Sequence, residues 1–189
     1  MSSSRVKRSF FEGVEARVSC REFVPNAPLL PTERDAILKA ACRAPSAGNL
    51  QAWKVYEVLP DQLAELSAAA LDQEWITTAA MALVFFADPE TSAAKYRKRG
   101  RNLYAVQDAT IACTYAQLSC EFLGLGACWV GAFDEDEVRQ IAGIEKDDLV
   151  PVALLIIGRP SAGARTKPRS RRRSSEVLIP KRHDAYMNE

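Results

Sequence analysis

Two arginines and a serine stand close together near the N-terminus, and residues of these types bind phosphate. The segment from Arg17 to Phe23 reads Arg-Val-Ser-Cys-Arg-Glu-Phe. The fork of a guanidinium group matches a phosphate dianion, and a serine hydroxyl supplies one more hydrogen-bond donor. A solvated turn at the end of a helix explains the same residues. The segment therefore predicts either a phosphate clamp or an exposed turn.

A hydroxyl and two primary amides follow in the segment from Arg43 to Trp53, which reads Arg-Ala-Pro-Ser-Ala-Gly-Asn-Leu-Gln-Ala-Trp. These side chains stand beside small residues that permit close approach, and they suit a planar heterocycle with donors and acceptors on its edge. The same composition is typical of a loop between a helix and a strand.

A third segment, from Gly124 to Asp134, reads Gly-Leu-Gly-Ala-Cys-Trp-Val-Gly-Ala-Phe-Asp. Gly131 would let the main chain touch a ligand ring, with backbone N–H groups free to donate. The alternative is a helix stop followed by a core strand.

The fourth segment is basic. Between residues 165 and 173, six of nine residues are Lys or Arg: Arg165, Lys167, Arg169, Arg171, Arg172 and Arg173. Such a run is most often a solvated or nucleic-acid-attracting arm. It could equally supply the last cation of a phosphate site.

Composition excludes several kinds of active site. His183 is the only histidine and stands in a polar tail, so histidine-based nucleophile sites and two-histidine metal sites are not expected. The 25 basic and 24 acidic residues give a net charge of +1, which does not favour nucleic acid as a partner. No P-loop or GxGxxG motif follows a predicted strand. In an enzyme of this composition, carboxylates or a bound cofactor would do the chemistry.

The 189 residues fit one domain, with a basic C-terminal arm from about residue 160 that has too few apolar residues for a core of its own. The five cysteines include no CxxC pair and predict a reducing, cytoplasmic location. No apolar run reaches the ~20 residues that cross a bilayer, so no membrane partner is expected.

Periodicity predicts alternating helices and strands, and hence a layered α and β domain. The predicted helices cover residues 4–18, 33–43 with Thr32 as its cap, 62–74 with Asp61 as its cap, 103–123, and 135–142 with Asp134 as its cap. The predicted strands cover residues 53–59, 79–87, 127–132 and 150–158, and a polar loop or broken helix covers 88–102. Ile111, Tyr115, Leu118 and Phe122 share one side of the longest helix.

Taken together and in this order, the four segments resemble the FMN-dependent nitroreductase family. The motifs that carry the resemblance are Arg17-x-Ser19-x-Arg21-x-Phe23, Ala44-Pro45-Ser46-x-x-Asn49-x-Gln51-x-Trp53, Trp129-Val130-Gly131-x-Phe133-Asp134 and Gly158-x-Pro160. The match extends over nearly the whole chain, from about residue 8 to 179. Ala52 departs from the family's usual proline, and the short segment 88–102 leaves little room for a substrate-covering insertion.

The resemblance implies an α+β fold with a mixed β-sheet flanked by helices, an intertwined homodimer, and FMN bound between the subunits. Arg17, Ser19 and a tail arginine would hold the phosphate, and Arg21 would lie near the pyrimidine end of the ring. The Pro45 to Gln51 loop would come from the partner subunit. The residues expected at the cofactor are Arg17, Val18, Ser19, Arg21, Pro45, Ser46, Ala47, Asn49, Gln51, Gln73, Trp129, Val130, Gly131, Arg172 and Arg173.

The implied activity is an NAD(P)H oxidoreductase of nitroreductase type. NADH or NADPH would reduce flavin N5, and a nitroaromatic, a quinone or a similar small-molecule acceptor would then take two electrons in a ping-pong sequence. No side chain is expected to act as a catalytic residue, because the flavin carries the redox chemistry. The alternatives are a flavoprotein of the same fold with other redox chemistry, such as dehalogenation, dehydrogenation or flavin fragmentation, and a non-enzymatic anion or nucleic-acid binder that uses the basic tail.

Overall fold

The computed structural model of the chain describes residues 9–144, 149–164 and 170–179. Its centre is a four-stranded sheet made of β1 (Trp53–Val58), β2 (Met81–Ala87), β3 (Gly126–Val130) and β4 (Val150–Gly158). The strand order is β1-β2-β4-β3, and all three neighbouring pairs are antiparallel. Among the described residues, parallel pairing is confined to an isolated bridge between Ser19 and Ala127. The predicted α+β class is confirmed, whereas the four strands themselves do not form a mixed sheet.

Helices cover both faces of this sheet. They are α1 (Phe10–Ala16), α2 (Pro31–Ala41), α3 (Leu63–Ala69), α4 (Pro89–Arg99), α5 (Ala105–Phe122), α6 (Glu135–Ile141) and a short α7 (Ser174–Val177). Residues of α3 and α6 share one buried cluster with alternate residues of the strands, and residues of α2 and α5 share the other cluster. This alternation follows from the two-residue period of a strand. All seven residues of β2 are buried, as the continuous apolar run predicts.

The start of α2 differs from the prediction. Leu30 is the N-cap residue and Pro31 occupies the first helical turn, so the prediction of Thr32 as the cap is wrong. The carboxylate of Glu33 accepts a hydrogen bond from the backbone nitrogen of Leu30 at 2.9 Å. Proline fits the first helical position because its missing N–H would have no helical partner there.

The predicted helix over residues 62–74 is broken into pieces. A 3₁₀ turn, Pro60–Gln62, takes the place of an Asp61 cap, and α3 ends at Ala69. Leu71 and Asp72 have φ angles of 59° and 56°, which no right-handed helix can contain. A second 3₁₀ segment, Glu74–Thr78, leads into β2.

The longest helix does not bury the side that carries Ile111, Tyr115, Leu118 and Phe122 most deeply. Its buried residues are small or polar: Ala105, Asp108, Ala109, Ala112, Cys113, Ala116, Cys120 and Glu121. Tyr115 and Phe122 of the predicted apolar side are 39% and 40% exposed. Small side chains let α5 approach the sheet closely, and they leave its larger apolar residues on the outer surface.

The N-terminal helix is shorter than residues 4–18. Ser9 caps α1 in a reciprocal arrangement with Glu12, residues 4–8 lie outside the described residues, and Arg17 is already extended. Of the two alternatives predicted for residues 88–102, a polar loop or a broken helix, the structure has the second: α4 is followed by one π-helical turn, Gly100–Tyr104. In the described part of the chain, no helix is both long and apolar enough to traverse a bilayer.

Candidate functional site

The Arg17–Phe23 segment lies along the outer edge of β3. Ser19 pairs with Ala127 in the parallel bridge, and the backbone nitrogen of Cys20 donates to the Ala127 carbonyl at 3.0 Å. Side chains alternate along an extended segment. Cys20 therefore points into the core, where it is 1% exposed, while Ser19 and Arg21 are exposed beside it.

Electrostatics at Cys128 place three of the predicted ligands together. Burial raises the pKa of the Cys128 thiol, while the charge of Arg21, a hydrogen bond with Ser19 and the charge of Arg17 act in the opposite direction. Both guanidinium groups and the hydroxyl therefore lie within interaction range of β3. Neither Arg17 nor Arg21 forms an ion pair with another described residue, so both charges remain available to an anion.

Arg21 and Gln73 connect this edge to the second 3₁₀ segment. The Arg21 guanidinium lies 5.9 Å from the ring centroid of Trp75. The Gln73 amide nitrogen donates to the Ala70 carbonyl at 2.9 Å and to the Ala132 carbonyl at 3.4 Å. These contacts fix the Gln73 side chain beside the turn after β3, and its amide oxygen is left as an acceptor.

Gly131 follows β3 directly and is exposed. Of the atoms in the described residues, a Cβ added to it would meet only Nε1 of Trp129, at 3.7 Å. Packing within the chain therefore does not require glycine at this position. An open backbone at the end of the strand that Arg17 and Arg21 flank fits a flat anionic group that approaches the main chain of Trp129, Val130 and Gly131.

The loop from Pro45 to Gln51 has an unusual backbone. Gly48, Asn49 and Gln51 have φ angles of 57°, 56° and 51°. Non-glycine residues in this region cost about 1–3 kcal/mol each and are often found at functional sites. The Ser46 hydroxyl accepts from the Gln51 backbone nitrogen at 2.9 Å, so this predicted ligand residue also supports its own loop. The amide side chains of Asn49 and Gln51 are exposed and form no hydrogen bond among the described residues.

A residue that sequence reasoning missed holds this loop in place. Asp108 on α5 is 2% exposed, and its carboxylate oxygens accept from the backbone nitrogens of Ala47 at 2.9 Å and Ala52 at 3.4 Å. One signal was present in the sequence: Asp108 is an acidic residue among the small apolar residues of one helix side. Beside the loop, α5 and Tyr104 line an open groove of about 500 Å³.

The loop and the arginines lie at opposite edges of the sheet and towards opposite ends of it, because Ser19 is level with Ala127 and, across β4, with Met81 at the start of β2. Trp53 at the start of β1 is level with Ala87 and Val150, and Val130 at the end of β3 is level with Leu154. Three inter-strand spacings, or about 14 Å, separate β1 from β3. One chain therefore gathers Arg17, Val18, Ser19, Arg21, Gln73 and the Trp129–Gly131 turn, but it does not bring the loop onto them.

The tail arginines are not brought to this group either. Arg172 and Arg173 are exposed, and the Arg173 backbone nitrogen donates to the Glu176 carboxylate at 2.6 Å. Within the described ranges, neither forms a hydrogen bond or ion pair with the Arg17–Arg21 segment. Arg165, Lys167 and Arg169 lie outside those ranges. The described residues also contain no group of three or more His, Cys, Asp or Glu that could hold a metal ion.

The fold and this edge arrangement define an α+β protein with a candidate anion and ring site beside β3. Residues 14–159 match the Nitroreductase family, and the chain belongs to that family. A putative NADH dehydrogenase/NAD(P)H nitroreductase of Archaeoglobus fulgidus is 32% identical over 131 residues, which cover 67% of this chain and 71% of the relative. An NADH dehydrogenase of Thermus thermophilus is 30% identical over 153 residues, covering 66% and 74%.

Solved structures share the fold over nearly the entire length. A putative nitroreductase of Exiguobacterium sibiricum, solved in complex with FMN, superposes with a TM-score of 0.83 at 21% identity. The superposition covers 95% of this chain and 100% of that one.

Proposed function

We propose that this chain is an FMN-dependent NAD(P)H oxidoreductase of nitroreductase type. The observation that carries the proposal is the convergence of Arg17, Ser19 and Arg21 on β3, beside the open backbone of Gly131. Family membership, the names of the curated relatives and the FMN complex of the Exiguobacterium sibiricum protein support it. A cytoplasmic location stays a prediction.

The phosphate of FMN fits the Arg17 end of the site. Arg17 and Ser19 would donate to its oxygens, and no carboxylate of the described residues competes for the Arg17 charge. The third cation would be Arg172 or Arg173. Their exposure, together with that of Val177, Leu178 and Ile179 at 56%, 69% and 92%, supports an arm that covers a partner subunit rather than its own.

The ring of FMN fits the turn after β3. Backbone groups of Val130 and Gly131 would contact it, and the Gln73 amide oxygen would accept a hydrogen bond at its edge. Arg21 would lie at the pyrimidine edge, with its guanidinium held over Trp75. A cation there stabilises negative charge on the ring edge and so favours the reduced form.

A homodimer would complete the site. The Pro45–Gln51 loop is separated from its own arginines by the width of the sheet, so the loop of a second copy would cover the ring and present Asn49 and Gln51 to it. Exposed apolar residues on α1 and α5 offer a surface for that copy: Phe10, Phe11, Val14, Val106, Tyr115 and Phe122. Burial of such a surface stabilises a dimer.

The bound cofactor would supply the two-electron chemistry, from NADH or NADPH to a nitro compound, a quinone or a similar acceptor. The chain's own residues bind and orient. Asp108 holds the loop backbone, Gly131 keeps the approach open, and the two guanidinium groups supply fixed positive charge. No side-chain base is required, which agrees with the single histidine of the sequence.

The test begins with the purified protein. We expect one FMN per subunit, a dimer in sedimentation, and loss of the flavin colour when NADH or NADPH is added without oxygen. Quinone or nitroaromatic acceptors should restore the colour, and steady-state plots should be parallel. A colourless monomer that neither binds added FMN nor oxidises either nicotinamide would contradict the proposal. A panel of halogenated and other acceptors separates it from same-fold flavoproteins with different chemistry.

A further inference from the structure

A strongly basic segment lies at the end of α4. Five of the seven residues from Lys95 to Arg101 are Lys or Arg. Arg101 forms an ion pair with Glu90, while the other four basic residues form no ion pair with any described residue. The segment therefore concentrates positive charge in a chain whose net charge is only +1.

Two of these cations are ordered on tyrosine rings. The rings of Tyr96 and Tyr104 meet edge to face, with centroids 5.1 Å apart. Lys95 Nζ lies 5.5 Å from the Tyr96 centroid, and Arg99 Cζ lies 5.3 Å from the Tyr104 centroid. Arg99 Nε also donates to the Tyr104 hydroxyl at 2.9 Å. These four residues are called the tyrosine–cation cluster.

The backbone is distorted where the cluster forms. Arg97 has φ 51° and ψ −135° inside α4, and a π-helical turn follows from Gly100 to Tyr104. Such irregularities in helices are frequent at functional sites. The Arg97 distortion and the π-helical turn both lie between Tyr96 and Tyr104, the two residues whose rings pack against each other.

The cluster also touches the Pro45–Gln51 loop. A Cβ placed on Gly48 would lie 2.5 Å from the Tyr96 hydroxyl and 2.8 Å from Lys95 Nζ. Tyr104 lines the groove of about 500 Å³ together with Pro45 and Ser46. Tyr104 therefore belongs both to the cluster and to the lining of the groove beside this loop.

We propose that the tyrosine–cation cluster binds the adenosine 2′-phosphate of NADPH and makes NADPH the preferred reductant. A phosphate monoester is a compact dianion that lysine and arginine bind by charge-assisted hydrogen bonds, and tyrosine rings offer flat surfaces to adenine. NADH shares the diphosphate but lacks this 2′-phosphate, so it lacks the contact that would distinguish the two nicotinamide nucleotides. The inference rests on the proposed function, in which the Pro45–Gln51 loop, and with it the cluster, lies over the FMN bound by the partner subunit.

Binding is measured first, by calorimetry with adenosine 2′,5′-bisphosphate and adenosine 5′-monophosphate. The purified protein should bind the bisphosphate at least about tenfold more tightly, as expected for loss of one charge-assisted contact. The double variant Lys95→Gln/Arg99→Gln should bind both nucleotides within about twofold of each other. The control Lys39→Gln/Lys54→Gln removes two exposed lysine charges elsewhere and should keep the preference. Equal binding by the unaltered protein, or a preference that survives in the cluster variant, overturns the proposal.

Kinetics separate this inference from the function on which it rests. The ratio of kcat/KM for NADPH to that for NADH should fall about tenfold or more in the cluster variant and stay unchanged in the control. A yellow enzyme that oxidises NADH and NADPH equally well overturns the inference and leaves the proposed function intact. The inference is also overturned if the cluster variant loses activity only with an anionic electron acceptor, while its kinetics with NADPH stay unchanged. The calorimetry uses neither a reductant nor an acceptor, so it tests the contact with the 2′-phosphate separately from the oxidoreductase activity.

Discussion

The Oδ1 atom of Asp108 lies 2.9 Å from the backbone nitrogen of Ala47, and this contact joins helix α5 to the most distorted loop of the site. The carboxylate is buried, so water cannot replace it. The loop conformation therefore depends on one helix residue some sixty positions further along the chain.

Substitution Asp108→Ala should destabilise the protein and loosen the loop. It leaves two backbone N–H groups without their acceptor, and each unsatisfied buried group costs about 1–3 kcal/mol. Urea unfolding should give a lower free energy, and FMN affinity should fall with it. Asp61→Ala, at an exposed position of a 3₁₀ turn, is the matched control and should change neither quantity. Equal stability of the two variants would show that the Asp108 contacts contribute nothing.

Substitution Arg21→Ala should lower both FMN affinity and the flavin reduction potential. One charge-assisted hydrogen bond contributes about 1.5–3 kcal/mol. Fluorescence titration gives the affinity, and equilibration with reference dyes gives the potential. Lys39→Ala removes an exposed charge far along α2 and should leave both values alone. Unchanged values for Arg21→Ala would remove Arg21 from the site.

Two glycines of the β3 region should respond in opposite ways to alanine. At Gly131 the added methyl meets nothing closer than 3.7 Å, so the free energy of unfolding should change by less than about 0.5 kcal/mol while FMN affinity drops. At Gly126 the methyl would lie 2.6 Å from the Cys20 sulfur, and the free energy of unfolding should fall by about 1–3 kcal/mol. Denaturation and flavin titration of both variants give the comparison. Full FMN affinity in Gly131→Ala would place the ring elsewhere.

The buried thiols of α5 should make the fold sensitive to alkali. Burial raises the pKa of Cys113 and Cys120, whereas in the unfolded chain a thiol titrates near about 8.5. At high pH the folded state therefore holds thiol protons that the unfolded state has lost. The free energy of unfolding is unaffected below the thiol pKa of the unfolded chain, and above it decreases by about 1.4 kcal/mol per thiol for each pH unit. Urea unfolding between pH 7 and pH 10 measures the slope. Cys113→Ala/Cys120→Ala should flatten it, and Cys42→Ala, at an exposed position, should not.

Mixing of two defective variants should restore flavin binding if the site is shared between subunits. Arg17→Ala damages one half of the proposed site, and Asn49→Ala/Gln51→Ala damages the other. Random exchange gives heterodimers with one intact site each, so about a quarter of all sites should regain FMN. Flavin absorbance after refolding the mixture reports this fraction. Recovery that stays at the level of the separate variants would mean that arginines and loop serve the same subunit's site.

Sequence patterns predicted the strands well, because β2 and β4 are short continuous apolar runs, which are typical of a strand buried on both faces. They did not decide which side of α5 is buried, since both of its sides are apolar and only packing decides that the small residues face the sheet. The Arg17–Arg21 segment was predicted as a candidate anion site because its two arginines and its serine stand close together in the sequence. Asp108 was missed because its partners are backbone groups of a distant loop, and backbone groups leave no trace in residue types.

The bridge between Ser19 and Ala127 makes the cationic segment a partial fifth strand. A slip of one residue in this pairing would turn both guanidinium groups inward and push Val18 and Cys20 towards solvent. Correct pairing of this edge segment with β3 and the ability to bind an anion therefore depend on the same register. The absorbance of retained flavin would report whether the segment has paired in that register.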